Sequence, residues 1–298
     1  MSNCSLDGRR DGAVPGSLLD LIGQYKASPE FKERTPATRR GYLSYLDMLE
    51  RGFPAKPVED IDRAWLYELR DALAKTPRAA NLTLSLVSIL MAFAVNRGWR
   101  TENPAVGVKK LRAGKSYEPW PDVAIERFRT CANPRMVWAL ELALYTGQRQ
   151  GDVLAMQWRH IRDGLISVAQ TKTGERLAIP IHRDLAAVLE RIPRGHMTIV
   201  HTGRGTGYTQ SGFKSYFRKE LARLGLAGLQ FHGLRHTAGK LLAEAGCTDR
   251  EIMAILGHRT GSMVSRYTRS AEQKRLAKAA IIKLETRTKV SKPSDETV

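Results

Sequence analysis

Cysteine is scarce, with only Cys4, Cys131 and Cys247 in 298 residues. The number is odd, the positions are far apart and no C-x-x-C pair occurs. That excludes a disulfide framework and a thiolate zinc site, and it fits a reducing cytoplasm. Cys131 and Cys247 read as buried free thiols. Aromatic residues make up 7% of the chain, too few for stacking on exposed bases to be the main binding mode. No apolar run reaches the roughly 18–20 residues that a transmembrane helix needs, and no basic-then-apolar signal segment opens the chain. A membrane partner is therefore not expected. Internal repeats and low-complexity segments are also lacking.

Acidic residues are in short supply relative to basic ones: 30 against 48, for a net charge of +18 and a pI near 10.1. Such an excess favours a polyanionic partner through counterion release. It is also uneven. Residues 1–110 hold 17 basic and 13 acidic side chains, which leaves 31 and 17 for the remaining 188. Apolar residues are 42% of the chain, enough for real cores.

Helical periodicity dominates the first third. A polar, glycine-rich lead over 1–16 precedes a helix from Ser17 to about Ser28. A second helix begins at Thr35-Pro36, with Arg39 and Arg40 near its start and Tyr42, Leu43, Tyr45, Leu46 and Leu49 on one side. Others are expected over 63–74 and 78–96, so 17–104 forms a compact helical bundle. Residues 105–121 are basic and rich in breakers, and read as a linker. The second lobe, 122–285, alternates differently. Helices are expected at 122–131, 134–145 and 151–158, followed by two strands, 165–169 and 177–181. The turn Lys172-Thr173-Gly174-Glu175 joins these strands as a hairpin. Further helices are expected at 184–191, 209–224, 233–245, 248–256 and 260–268, then a separate amphipathic stretch at 273–284 with Leu276, Ala280, Ile281 and Leu284 on one face. The tail, 286–298, is polar and expected to be mobile. The fold class is mainly α, with a small antiparallel sheet in the second lobe.

Five stretches carry chemistry: Thr146-Gly147-Gln148-Arg149-Gln150-Gly151-Asp152, Thr171-Lys172-Thr173-Gly174, His232-Gly233-Leu234-Arg235, Leu256-Gly257-His258, and Arg266-Tyr267-Thr268. Guanidinium forks match two phosphate oxygens and stay charged. His232 and Arg235, three apart at a helix start, share a face with the positive end of the helix dipole. His236 is expected to point elsewhere and to be structural. Zinc is a poor fit to His232, His236 and His258, since no nearby Cys or Glu completes a site. A phenol is only ~0.1% ionised at pH 7, so Tyr267 needs a base and a cationic pocket to react.

The order and spacing of these stretches resemble the tyrosine recombinase (phage integrase) family. The resemblance implies that Arg149 and Arg235 clamp a DNA phosphodiester and that Asp152, where the family more often has glutamate, supports Arg149. It further implies that Lys172 on its hairpin protonates the leaving 5′ oxygen and that His232 accepts a proton or donates a hydrogen bond. His258 supports the phosphate, and Tyr267 is the nucleophile of a 3′-phosphotyrosyl link. The first lobe resembles the family's SAM-like core-binding domain, with Arg39, Arg40 and Asn81 as DNA contacts. A mixed α/β, mostly helical catalytic domain follows. No cofactor or metal is implied. The implied partners are double-stranded DNA clamped between the lobes, further protomers in a DNA-bound tetramer joined through the C-terminal segment, and accessory DNA-bending proteins. The implied location is the bacterial cytoplasm, on the nucleoid. The lead is too short for the arm-binding domain of many integrases, which points to a simpler, symmetric recombinase. Two alternatives stay open: a type IB topoisomerase-like DNA relaxase, and a non-catalytic DNA-binding regulator on the same fold.

Overall fold

The structure, a computed structural model, describes residues 13–112, 114 and 117–289, with the backbone alone at several positions of the last helix. Most of the lead, Cys4 and residues 290–298 of the tail lie outside the described residues, as does the side chain of Leu276. The chain divides into two compact units, residues 1–115 and 116–298.

Unit 1 consists of α1 (Leu18–Ala27), α2 (Pro29–Lys32), α3 (Pro36–Gly52), α4 (Arg63–Ala72) and α5 (Pro77–Asn96). The starts are written locally: the side chains of Ser17, Thr35 and Asp62 accept the orphan N–H groups of Asp20, Thr38 and Trp65, and Pro36 occupies the first turn of α3. Leu18, Leu21, Ile22, Leu46, Leu49, Leu66, Val87 and Leu90 are fully buried together. On α3, Leu43 departs from its expected apolar face and is exposed. By length and composition α5 could cross a membrane, with a mean hydropathy of 1.7, which corrects the expectation that no run is long enough. Its apolar side chains are spent on the core of unit 1 instead, with Leu86, Val87, Leu90 and Met91 at most 1% exposed.

Part of the expected linker is fastened to unit 1. Arg63 donates to the carbonyl of Val106 and Arg70 to that of Lys109. Both ends of the Asn81 carboxamide engage the backbone of Leu111, each at 2.8 Å. Residues 117–120 belong to unit 2, where Trp120 is 1% exposed and its ring N–H donates to the carbonyl of Gln230.

In unit 2, α6 (Asp122–Cys131), α7 (Pro134–Thr146) and α8 (Gln150–Leu154) precede a 3₁₀ turn (Trp158–His160). An antiparallel sheet follows, in the order β1 (Ile161–Arg162), β2 (Leu165–Ala169), β3 (Arg176–Pro180). The register pairs Ile166 with Ile179 and Val168 with Leu177. Alternation turns Ile166, Val168 and Ile179 inward, as a half-buried hairpin requires. The remaining elements are α9 (Arg183–Glu190), α10 (Gln210–Arg223), α11 (Phe231–Glu244), α12 (Asp249–Leu256) and α13 (Gly261–Lys289). The core is apolar α7 packed on α11, walled by Trp120, Phe128, Phe213, Phe217 and Phe231.

Three expectations need correction. Cys131 is exposed at the last residue of α6, and Cys247, just beyond the end of α11, is half-buried against the cluster of Ala243, Ile252 and Leu256. The helix expected over 151–158 stops at Leu154, and the chain turns into the 3₁₀ segment. The helices expected at 260–268 and 273–284 are one, running on to Lys289, because no glycine or proline interrupts the segment after Gly261.

Candidate active site

Helix ends build the site. At the C-terminus of α7, Gly147 takes a left-handed conformation (φ 64°), and a Cβ there would run into the Leu256 side chain. Only glycine meets both demands. The turn it makes delivers Arg149 at the start of α8. The Arg149 guanidinium donates to the side-chain oxygen of Gln170 at 2.9 Å, while the Asp152 carboxylate stands 3.9 Å away. Asp152 is buried, and one of its oxygens accepts the backbone N–H of Thr171 at 2.9 Å. The acid expected to orient Arg149 therefore also pins the hairpin turn that bears Lys172, whose side chain is exposed.

His232 and Arg235 stand on the first turn of α11, whose start is strapped down by residues 118–120. The Thr237 hydroxyl accepts the N–H of Trp120 at 2.7 Å, and a Cβ at Gly233 would lie 2.6 Å from the Glu118 carbonyl oxygen. Arg235 is 3% exposed. One guanidinium nitrogen donates to the Gly147 carbonyl at 2.8 Å, and another, Nη2, is buried with no hydrogen-bond partner among the described residues. Burial and the nearby Arg149 charge lower its pKa to about 10, so it remains cationic at neutral pH.

Helix α12 closes with Gly257 in the left-handed region (φ 66°), as its sequence position suggests, and His258 follows. The His258 ring lies nearly parallel to that of Tyr267, 12° apart with centroids 6.2 Å distant, and its Nδ1 is buried without a partner among the described residues. Desolvation, then Arg235 and Arg149, push His258 down to about 4. His232 is also pushed down to about 4, by desolvation first and then by His236, Arg235, Arg149 and Lys172. Both imidazoles are neutral at physiological pH, so each can accept a proton.

Tyr267 is 9% exposed on α13. Its ring rests on Gly239 of α11, where a Cβ would lie 2.8 Å from the ring. The ring of His236 meets it edge-on, with centroids 5.5 Å apart, and the His236 ring in turn meets the ring of His232 with centroids 5.3 Å apart. The expectation that His236 points elsewhere is thus corrected. Residues i and i+4 share a helix face, so His236 stands beside His232 rather than away from it.

The structure therefore brings Arg149, Asp152, Lys172, His232, Arg235, His258 and Tyr267 into one unit and around one another. Arg39, Arg40 and Asn81 lie in unit 1. There Arg39 and Arg40 start α3, while the carboxamide of Asn81 is occupied by Leu111. Sequence reasoning missed Gln148, Gln170 and Thr237, all buried polar side chains. Besides local partners, each reaches one far along the chain, Ile255 for Gln148, Leu256 for Gln170 and Trp120 for Thr237, and no local pattern marks those.

Two guanidiniums, an ammonium, two neutral imidazoles and a phenol suit phosphoryl transfer to a hydroxyl, with cations to hold the phosphate oxygens and imidazoles to accept a proton. The phage integrase family model matches residues 124–274. The integrase of Enterobacteria phage 434 is 29% identical over 272 residues, covering 84% of this chain and 74% of that protein. A shufflon-specific DNA recombinase of Escherichia coli is 33% identical over 201 residues, covering 65% and 51%. Among solved structures, a lambda integrase tetramer bound to a Holliday junction shares the fold with a TM-score of 0.71 and 24% identity, over 82% of this chain and 78% of that one. The chain belongs to the phage integrase family: it is a tyrosine recombinase, an enzyme of site-specific DNA strand transfer.

Proposed function

We propose that Tyr267 attacks a DNA phosphodiester held by Arg149 and Arg235. The Tyr267 oxygen forms a bond to phosphorus as the bond from phosphorus to the 5′ oxygen breaks. His232, neutral at physiological pH, takes the phenol proton, and Lys172 supplies a proton to the departing 5′ oxygen. His258 donates to a non-bridging oxygen. The phosphotyrosine conserves the bond energy, and a 5′ hydroxyl of the partner duplex reverses the step to give a Holliday junction.

The observation that carries this reading is Arg235: a cation 3% exposed whose Nη2 has no hydrogen-bond partner among the described residues. A buried charge of this kind is costly without an anion, and a phosphate oxygen supplies one. Double-stranded DNA is the substrate, with Arg39 and Arg40 contacting it directly. Asn81 acts through the backbone of Leu111. Exposed Ile281, Ile282 and Leu284 on α13 supply the surface through which protomers join into a tetramer on DNA, assisted by DNA-bending proteins. The reaction takes place in the bacterial cytoplasm, on the nucleoid.

The test uses nicked duplexes tiled across the DNA flanking the gene, with protein–DNA adducts resolved under denaturing conditions. The unmodified protein forms an adduct on one of them, and Tyr267→Phe forms none while still shifting that duplex in a native gel. Adducts that persist in the Phe variant would overturn the assignment.

A further inference from the structure

Gln170 is the last residue before the hairpin turn and is 1% exposed. A primary amide offers two donor hydrogens and two acceptor lone pairs. In Gln170 all four are used. Its oxygen accepts from Arg149 Nη1 at 2.9 Å and from the Thr173 hydroxyl at 2.7 Å. Its nitrogen donates to the Gln148 side-chain oxygen at 2.7 Å and to the Leu256 carbonyl at 2.8 Å. Gln148 is fixed in turn, its own nitrogen donating to the carbonyls of Thr146 and Ile255. The amide has one workable orientation, because flipping it would set its N–H groups against the Arg149 guanidinium.

One side chain thus touches three parts of the site: the Arg149 turn, the hairpin bearing Lys172, and the end of α12 directly ahead of His258. Gly257 packs against it, and a Cβ there would lie 2.9 Å from the amide carbon. An outer latch ties the same two segments, with Arg259 donating to Glu175 at 2.6 Å and to the Thr173 carbonyl at 2.7 Å. The hub is also neutral. Asp152 has spent one oxygen on Thr171 and stands 3.9 Å from Arg149, so the hydrogen bond that orients Arg149 leaves its charge available to a phosphate.

We propose that Gln170 is a positioning residue that locks Arg149, the Lys172 hairpin and the His258 turn into a single geometry. This rests on the catalytic roles proposed above. Gln170→Met keeps the length and apolar bulk of the side chain and removes all four hydrogen bonds. In single-turnover cleavage of a duplex on which the unmodified protein forms adducts, the variant should be slower by ~10²-fold, the scale of a misplaced catalytic group. DNA affinity should change by less than about threefold. A duplex with sulfur in place of the scissile 5′ oxygen should restore at least about tenfold of the loss, because a thiolate leaves without a proton from Lys172. Cleavage within threefold of the unmodified protein would overturn the proposal, as would rate and affinity falling together with the melting temperature. No recovery with sulfur would overturn the claim on the lysine hairpin.

Hydrogen exchange on the free protein decides the matter independently of activity. The amides of residues 171–175 should exchange at least about tenfold faster in the variant, with those of α7 unchanged. Equal exchange in the hairpin overturns the lock. If the unmodified protein forms no adduct on any duplex, the proposed reaction fails while this second measurement still tests Gln170.

Discussion

Desolvation and the surrounding positive charge hold the imidazoles of His232 and His258 near pKa 4 in the folded protein, against an ordinary value of about 6.5. A histidine depressed in this way is protonated more readily in the unfolded chain between those two values. Its contribution to stability is therefore complete above about pH 6.5 and is lost as pH falls towards 4. The melting temperature should drop across this interval, and more steeply for the unmodified protein than for a His232→Gln, His258→Gln double variant. Parallel curves would show that the two imidazoles are not held neutral. At this scale the site was legible where types and spacings are local: His232 with Arg235, Gly257 before His258, and the Thr-Gly-x-Arg turn. The roles of Asp152 and His236 were less so. The hydrogen bond from the Thr171 amide to Asp152 spans 19 residues, and the contact of His236 with Tyr267 spans two helices.

Elements place these side chains by their ends. Left-handed glycines stop α7 and α12, the hairpin turn presents Lys172, and the strap over 118–120 holds the first turn of α11. Element types and most boundaries followed from period and start signals, as at Ser17 and Thr35, where a side chain accepts an orphan N–H. The exceptions were α8, which stops at Leu154 instead of running on to 158, and α13, split in two by the reading of its apolar face although nothing in the segment breaks a helix. The close passage of α11 and α13 yields a prediction at this scale. Gly239 lies under the Tyr267 ring, so Gly239→Ala pushes the ring away. Alanine also favours the helix by ~1 kcal/mol over glycine, which offsets part of the collision. The melting temperature should move by only a few degrees while adduct formation falls about tenfold or more. An unchanged rate would mean that Tyr267 does not depend on that contact.

Over the whole molecule, composition already marked the partner: +18 net, with 29 basic against 17 acidic side chains in residues 116–298, the unit that holds the candidate site. Which polar groups would be buried there was not visible in composition, because Gln148, Gln170 and Arg235 become buried only when turns far apart in sequence converge. Family membership selects the recombinase among the readings that the sequence left open. The central claim is that this convergence makes Tyr267 a nucleophile towards DNA. The most direct measurement is to trap the covalent complex, digest protein and DNA, and locate the nucleotide-bearing residue by mass spectrometry. A phosphodiester on the peptide containing Tyr267, attached through a 3′ phosphate, is the expected result. The nucleotide on any other residue, or attached through a 5′ phosphate, would contradict it.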